Sequence, residues 1–63
     1  MKIVIFVVVD AESEKLVEKE ESIHTANLYL SAKSIYFDYE LYDVIENVLS
    51  VDKSEIQITV EKR

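Results

Sequence analysis

Residues 3–9 read Ile3-Val4-Ile5-Phe6-Val7-Val8-Val9, a run of seven apolar side chains of which six are β-branched. A short continuous apolar run of this composition predicts a β-strand that is buried on both faces. A single helix layer covers only one face of a sheet, so we expect a second copy or a partner to cover the other. Val4, Phe6 and Val8 are the residues expected to mediate this self-association.

The length of 63 residues predicts one domain over residues 1–63. A domain of this size buries only about 60% of the surface that its unfolded chain exposes, so its stability is marginal without reinforcement. Disulfides or a bound metal are the usual reinforcement in small domains. The chain has no cysteine and a single histidine, His24. We therefore expect reinforcement by association, most simply as a homodimer, in the cytoplasm, or in the host cytoplasm if the protein is viral.

The charge balance restricts the partners. Thirteen acidic residues stand against seven lysines and arginines, which gives a net charge of -6, and no basic residue lies between Lys33 and Lys53. Phosphate backbones are repelled by such a surface. No apolar run approaches the roughly 18 residues of a membrane span. We expect a protein target with a basic surface, and neither direct nucleic-acid binding nor membrane association.

The rest of the chain divides into two clear segments and one ambiguous segment. Residues 55–61 alternate apolar and polar side chains, which predicts a half-buried strand. Residues 34–50 place apolar side chains at spacings of three and four, which predicts a helix with Ser34 as N-cap. Residues 11–33 fit two interpretations. One is a strand at residues 26–30, with residues 15–22 as its polar continuation or as the arm of a hairpin. The other extends the helix of residues 34–50 back to Thr25.

Together these elements predict an α+β fold. It consists of a small antiparallel sheet of about three strands with one dominant amphipathic helix on its face, in the order β-β-α-β and assembled as a dimer. The stripe of the helix that should face the sheet comprises Phe37, Leu41, Val44, Ile45 and Val48.

Catalytic and cofactor sites are not expected. Phosphate loops and dinucleotide-binding turns need backbone conformations that glycine alone permits, and the chain has no glycine. Glu21 and His24 have the Glu-x-x-His spacing of helical metal ligands, but a single match arises by chance in an acidic chain, and a solvated histidine is the preferred interpretation. We expect no enzyme activity, no metal and no cofactor.

Tyrosines interleaved with carboxylates indicate a binding surface. On the predicted helix, Tyr36 and Tyr39 lie opposite the buried stripe, among acids that no lysine neutralises. Tyrosine is enriched in interface cores. The alternative is that the tyrosines line the rim of the core and the acids only solvate the helix. The predicted partner-binding residues are Tyr36, Tyr39, Glu40, Asp43, Glu46 and Asn47.

The composition also suggests an origin and a class. Glycine and proline have GC-rich codons, so their absence points to an AT-rich genome of the kind that phages and mobile elements have, with a designed protein as the competing origin. Small acidic proteins of this composition resemble, as a class, phage-encoded inhibitors such as anti-restriction, anti-CRISPR and antitoxin-like proteins. The resemblance implies a non-enzymatic protein-protein interaction module that inhibits or neutralises a host protein stoichiometrically. The alternative is a self-associating structural or designed scaffold without a catalytic role.

Overall fold

The computed structural model describes residues 1–63 and contains one five-stranded sheet and one helix. The strand order is β2-β1-β5-β4-β3, with β1 and β5 parallel at the centre and every other neighbouring pair antiparallel. The sheet is curved into a half-barrel. In chain order the elements are β1 (Lys2–Val9), β2 (Glu12–Glu20), α1 (Ile23–Ser31), β3 (Ser34–Phe37), β4 (Glu40–Ser50) and β5 (Glu55–Lys62).

The two strands predicted at the ends of the chain are confirmed. β1 pairs with β2 on one side and with β5 on the other, so the backbone of this apolar, aggregation-prone segment has no free edge. β5 extends over Glu55–Lys62 and contains the predicted alternation. Its apolar residues Ile56, Ile58 and Val60 are fully buried.

Alternation along the central strands defines two faces of the sheet. The helix face carries the core, which is one cluster of buried residues. It contains Ile3, Ile5 and Val7 of β1, the apolar residues of β5, Tyr42 of β4 and Ala26 of α1. The opposite face, called the open face below, carries the intervening residues of each strand, such as Val4 and Phe6 of β1. No other element of the chain covers it.

The helix α1 connects the two outer strands of the sheet, β2 and β3. Ser22 is its N-cap, and the Oγ of Ser22 accepts a hydrogen bond from the Thr25 backbone N–H at 3.2 Å. Ala26 is buried in the core, and the Nδ2 of Asn47 in β4 donates to the Leu30 carbonyl at 3.3 Å. Of the two interpretations of residues 11–33, only the strand character of residues 15–20 is borne out, and these residues pair with β1. Residues 23–31 are neither a strand nor the start of a long helix.

The predicted three-stranded sheet with a dominant helix is wrong. Residues 34–50 form the β3–β4 hairpin and not a helix, and Ser34 begins β3 instead of capping a helix. The misleading spacing of three and four arises because the turn and the bulge at Ile45, between Val44 and Glu46, each interrupt a period of two. Val44 lies against the core, whereas Val48 lies opposite Gln57 on the open face.

Composition explains why this segment forms strands. Eight of its seventeen residues are β-branched or aromatic, and such side chains favour a pleated surface over a helix. The eight are Ile35, Tyr36, Phe37, Tyr39, Tyr42, Val44, Ile45 and Val48.

Both two-residue hairpin turns adopt left-handed backbone conformations without glycine. Asp10 and Ala11, between β1 and β2, have φ of 53° and 67°. Asp38 and Tyr39, between β3 and β4, have φ of 50° and 65°. Positive φ at both central residues is the type I′ geometry, whose twist matches that of paired strands. The turns therefore follow the strand twist, and each holds a residue with a Cβ where glycine is usual.

Candidate functional site

The tip of the β3–β4 hairpin carries the most exposed aromatic side chains of the chain. Tyr39 is 89% exposed and Tyr36 is 68% exposed. Tyr36 lies opposite Leu41 in the antiparallel register, on the open face, and Leu41 is also exposed. We call Tyr36, Asp38, Tyr39 and Leu41 the tyrosine tip. It presents two phenol rings and an aliphatic side chain to solvent next to a carboxylate.

Tyr39 occupies a conformation that works against folding. At φ 65° its Cβ crowds the backbone, which costs about 1–2 kcal/mol relative to an ordinary conformation. Its ring recovers little of this cost within the chain, since it is almost entirely exposed. Strain of this kind at an exposed bulky residue is typical of sites whose side chain has a role outside the fold.

The six predicted partner-binding residues do not share one face. Tyr36, Asp43 and Glu46 lie on the open face, as their registers opposite Leu41, Glu61 and Thr59 indicate. Glu40 and Asn47 lie on the helix face, opposite Phe37 and Ile58, and Tyr39 lies in the turn. The outer helix face on which they were grouped does not exist, because that helix is a hairpin.

Two of the carboxylates in this hairpin are neutralised by the end of β5. Arg63 donates to the Oδ1 of Asp43 from Nη2 at 2.6 Å and from Nε at 3.0 Å, and to the Ser34 Oγ at 3.2 Å. This hydrogen bonding to Asp43 raises the pKa of Arg63 above its ordinary value. Lys62 lies 3.3 Å from Glu40. The expectation that no base offsets the charge of Asp43 is therefore wrong, since the nearest base comes from a distant part of the sequence.

Other carboxylates near the tyrosine tip have no ion-pair partner. Because β1 and β5 run parallel, the β1–β2 turn and the β3–β4 turn lie at the same end of the sheet. Apart from Glu40 and Asp43, five acids of this end form no salt bridge, so the end carries concentrated negative charge. These acids are Asp10, Glu12, Glu14, Asp38 and Glu61. Glu46, further along β4, is also unpaired.

The predicted self-association residues lie on the open face of β1. Val4 is only 3% exposed in the single chain, because it lies between Glu18 of β2 and Gln57 of β5. Phe6 and Val8 are half-buried. Of these three residues, Val4 is thus already covered by side chains of the same sheet. Association through this face stays a prediction.

The β2 strand at the edge of the sheet is charged. Lys15 donates to the Oε1 of Glu18 at 3.2 Å, and this hydrogen bond lowers the pKa of Glu18 below its ordinary value of 4.5. Lys2 of β1 adds a weaker attraction from 3.8 Å. Charged side chains on an outer strand discourage pairing with another chain.

The surface has no pocket, and no group of three or more histidine, cysteine, aspartate or glutamate side chains is arranged to hold a metal ion. His24 lies exposed in the first turn of α1, just after Glu21. The helix α1 has nine residues and is too short to cross a membrane.

Comparisons of this chain with protein families, with curated proteins and with solved structures give no match.

Sequence reasoning selected both exposed tyrosines but missed Leu41 and the turn that displays Tyr39. Leu41 was assigned to the buried stripe of the predicted helix, whereas the hairpin register places it beside Tyr36. The available signal was the turn-forming residue Asp38 between two runs rich in β-branched and aromatic residues.

Proposed function

We propose that this protein is a non-enzymatic protein-protein interaction module that uses the tyrosine tip to bind a basic surface of a target protein. It acts as a stoichiometric inhibitor or neutraliser, of the class that phages and mobile elements encode, in the cytoplasm of the host cell.

The observation that carries the proposal is the exposed and strained Tyr39. A glycine or asparagine at this position would satisfy the turn at lower conformational cost. A tyrosine adds a large rigid ring that can be desolvated by a partner, which is how tyrosine contributes to interface hot spots. Tyr36 and Leu41 extend the same exposed surface along the hairpin.

The charge distribution supports a basic partner. The five unpaired acids at this end of the sheet attract a positive surface over a distance of about one Debye length. Steering of this kind raises association rates, while the desolvated tyrosine contacts set the dissociation rate. The two features therefore act on different steps of the same encounter.

The test is affinity capture from a host lysate with three immobilised forms of the protein: wild type, Tyr39→Gly and Ala11→Gly. Ala11→Gly is the matched control, because it changes the corresponding residue of the other type I′ turn. A captured protein is then purified, and its activity and affinity are measured against each form. We expect wild type and Ala11→Gly to bind and inhibit it, and Tyr39→Gly to do neither.

Capture that does not distinguish Tyr39→Gly from wild type would contradict the proposal, as would the absence of any captured protein. In either case, the alternative function is a scaffold that binds only itself.

A further inference from the structure

The outer edge of the sheet beyond β3 is open. β3 pairs only with the first part of β4, from Glu40 to Asp43, and the Val44 N–H donates to the Lys33 carbonyl at 3.0 Å. From Ile45 to Ser50, β4 pairs with β5 on one side and with no strand on the other. Alternate backbone N–H and C=O groups of this segment therefore lack a sheet partner.

Three of the six side chains from Ile45 to Ser50 are apolar and exposed. Ile45, Val48 and Leu49 are each about half exposed, and Val51, just beyond the strand, is 79% exposed. The other edge strand, β2, differs, since most of its residues are charged. Lysine and glutamate on an edge strand are a usual protection against edge pairing, and β4 beyond Glu46 has no charged residue in the strand.

We propose that this free segment of β4 pairs antiparallel with the same segment of a second copy, which joins two sheets into one continuous ten-stranded sheet. A two-fold axis through Val48 places Val48 opposite its own symmetry mate. In this register Ile45 faces Val51 and Glu46 faces Ser50, so no like charges meet.

The neighbouring registers are less favourable. An axis at Leu49 would place Glu46 opposite Asp52, which brings two carboxylates together. An axis at Asn47 would place Glu46 opposite Val48 and lose the valine pair. The arrangement of side chains along the free edge therefore selects a second copy in one register.

A pairing of six or seven residues buries less than a standard interface, so we expect a weak, reversible dimer with a dissociation constant on the order of 10–100 μM.

The proposed dimer does not depend on the proposed function, because the tyrosine tip and the free edge lie at opposite ends of β4. In the dimer, the two tyrosine tips point in opposite directions.

Sedimentation equilibrium from 1 to 500 μM protein tests the dimer. The wild type should associate reversibly, and more strongly in 0.5 M than in 0.05 M NaCl, because salt screens the repulsion between two chains of net charge -6. Val48→Asp should raise the dissociation constant by more than about tenfold, since two carboxylates would meet at the axis.

Val9→Asp is the matched control, because Val9 and Val48 are equally exposed, at 46%, and the charge change is the same. It should dimerise like the wild type. Circular dichroism checks that both variants are folded.

A charge-swap experiment tests the register. Val48→Asp and Val48→Lys should each be monomeric alone, but an equimolar mixture should form a heterodimer, because only at a two-fold axis does residue 48 face residue 48. If a variant fails to fold, the register is tested instead by amide hydrogen exchange of the wild type, measured at 10 and 500 μM protein. Exchange should slow with concentration at residues 45–51 and remain unchanged along β2.

A wild type that stays monomeric at 500 μM in 0.5 M NaCl would overturn the proposal. Equal dimerisation of Val48→Asp and Val9→Asp would do the same, as would a mixture of folded charge-swap variants that does not associate.

Discussion

Replacing Tyr39 by glycine should make the protein more stable. At φ 65° the Cβ of Tyr39 costs about 1–2 kcal/mol, which glycine removes. Glycine loses more backbone entropy on folding, about 0.5–1 kcal/mol, so the net gain is about 0.5–1 kcal/mol. Loss of the ring removes almost no burial because Tyr39 is 89% exposed.

This gain should be visible in thermal unfolding. For a domain of this size, 1 kcal/mol shifts Tm by about 4–8 °C, so Tyr39→Gly should raise Tm by about 2–8 °C. The assay is calorimetry at a protein concentration below the dissociation constant expected for the proposed dimer, so that dissociation does not contribute to the measured Tm.

Two further variants separate backbone strain from side-chain contacts. Ala11→Gly, in the other type I′ turn with φ 67°, should raise Tm by a similar amount. Tyr39→Ala keeps a Cβ at positive φ and should leave Tm nearly unchanged. A Tyr39→Gly variant that melts below the wild type, beside an Ala11→Gly variant that melts above it, would refute the reasoning, because the ring would then make contacts that stabilise the fold.

Three other perturbations test the core, the charge distribution and the charged edge. Ile58→Ala should lower the free energy of unfolding measured in urea by about 2–5 kcal/mol, out of a total of roughly 3–9 kcal/mol. A loss below about 1 kcal/mol would contradict the core assignment. Glu46→Gln should slow association with a captured basic target and weaken its salt dependence more than Asp43→Asn does, since Arg63 already neutralises Asp43. The opposite order in stopped-flow measurements would count against this charge map. Lys15→Gln should raise the pKa of Glu18 in an NMR titration, since the hydrogen bond from Lys15 lowers it. The Lys15–Glu18 pair should contribute to stability above about pH 4.5, and this contribution should be lost as the pH falls through the lowered pKa of Glu18. A Glu18 titration that Lys15→Gln leaves unchanged would contradict the contact.

Local patterns were sufficient where a strand keeps one period throughout. The short, β-branched apolar run of residues 3–9 predicted the strand β1, and the alternation in residues 55–61 predicted β5. The signal was composition and length for β1 and a period of two for β5.

The β3–β4 hairpin could not be derived in the same way. The bulge at Ile45 shifts the alternation by one residue, and the turn at Asp38 and Tyr39 lacks the glycine that usually marks a type I′ hairpin. Together the bulge and the turn place the apolar residues of this segment three and four positions apart, as in a helix. The β-branched and aromatic composition of the segment was the better guide.

The site was recovered only in part because its charge pattern depends on tertiary structure. Tyr36 and Tyr39 were selected from their residue type, and both are exposed. The neutralisation of Asp43 by Arg63 joins residues twenty positions apart. It follows from the pairing of β4 with β5, which the predicted helix excluded.

The most direct test of tyrosine-tip binding is the affinity of a captured, purified target for Tyr39→Gly relative to Ala11→Gly. Both substitutions relieve the same strain, so any difference in affinity reports the ring. We predict that Ala11→Gly binds like the wild type and that Tyr39→Gly binds at least about 30-fold more weakly. This factor corresponds to the loss of about 2 kcal/mol of binding free energy that is usual when a hot-spot tyrosine is truncated. Equal affinity of the two folded variants would contradict binding through the tyrosine tip.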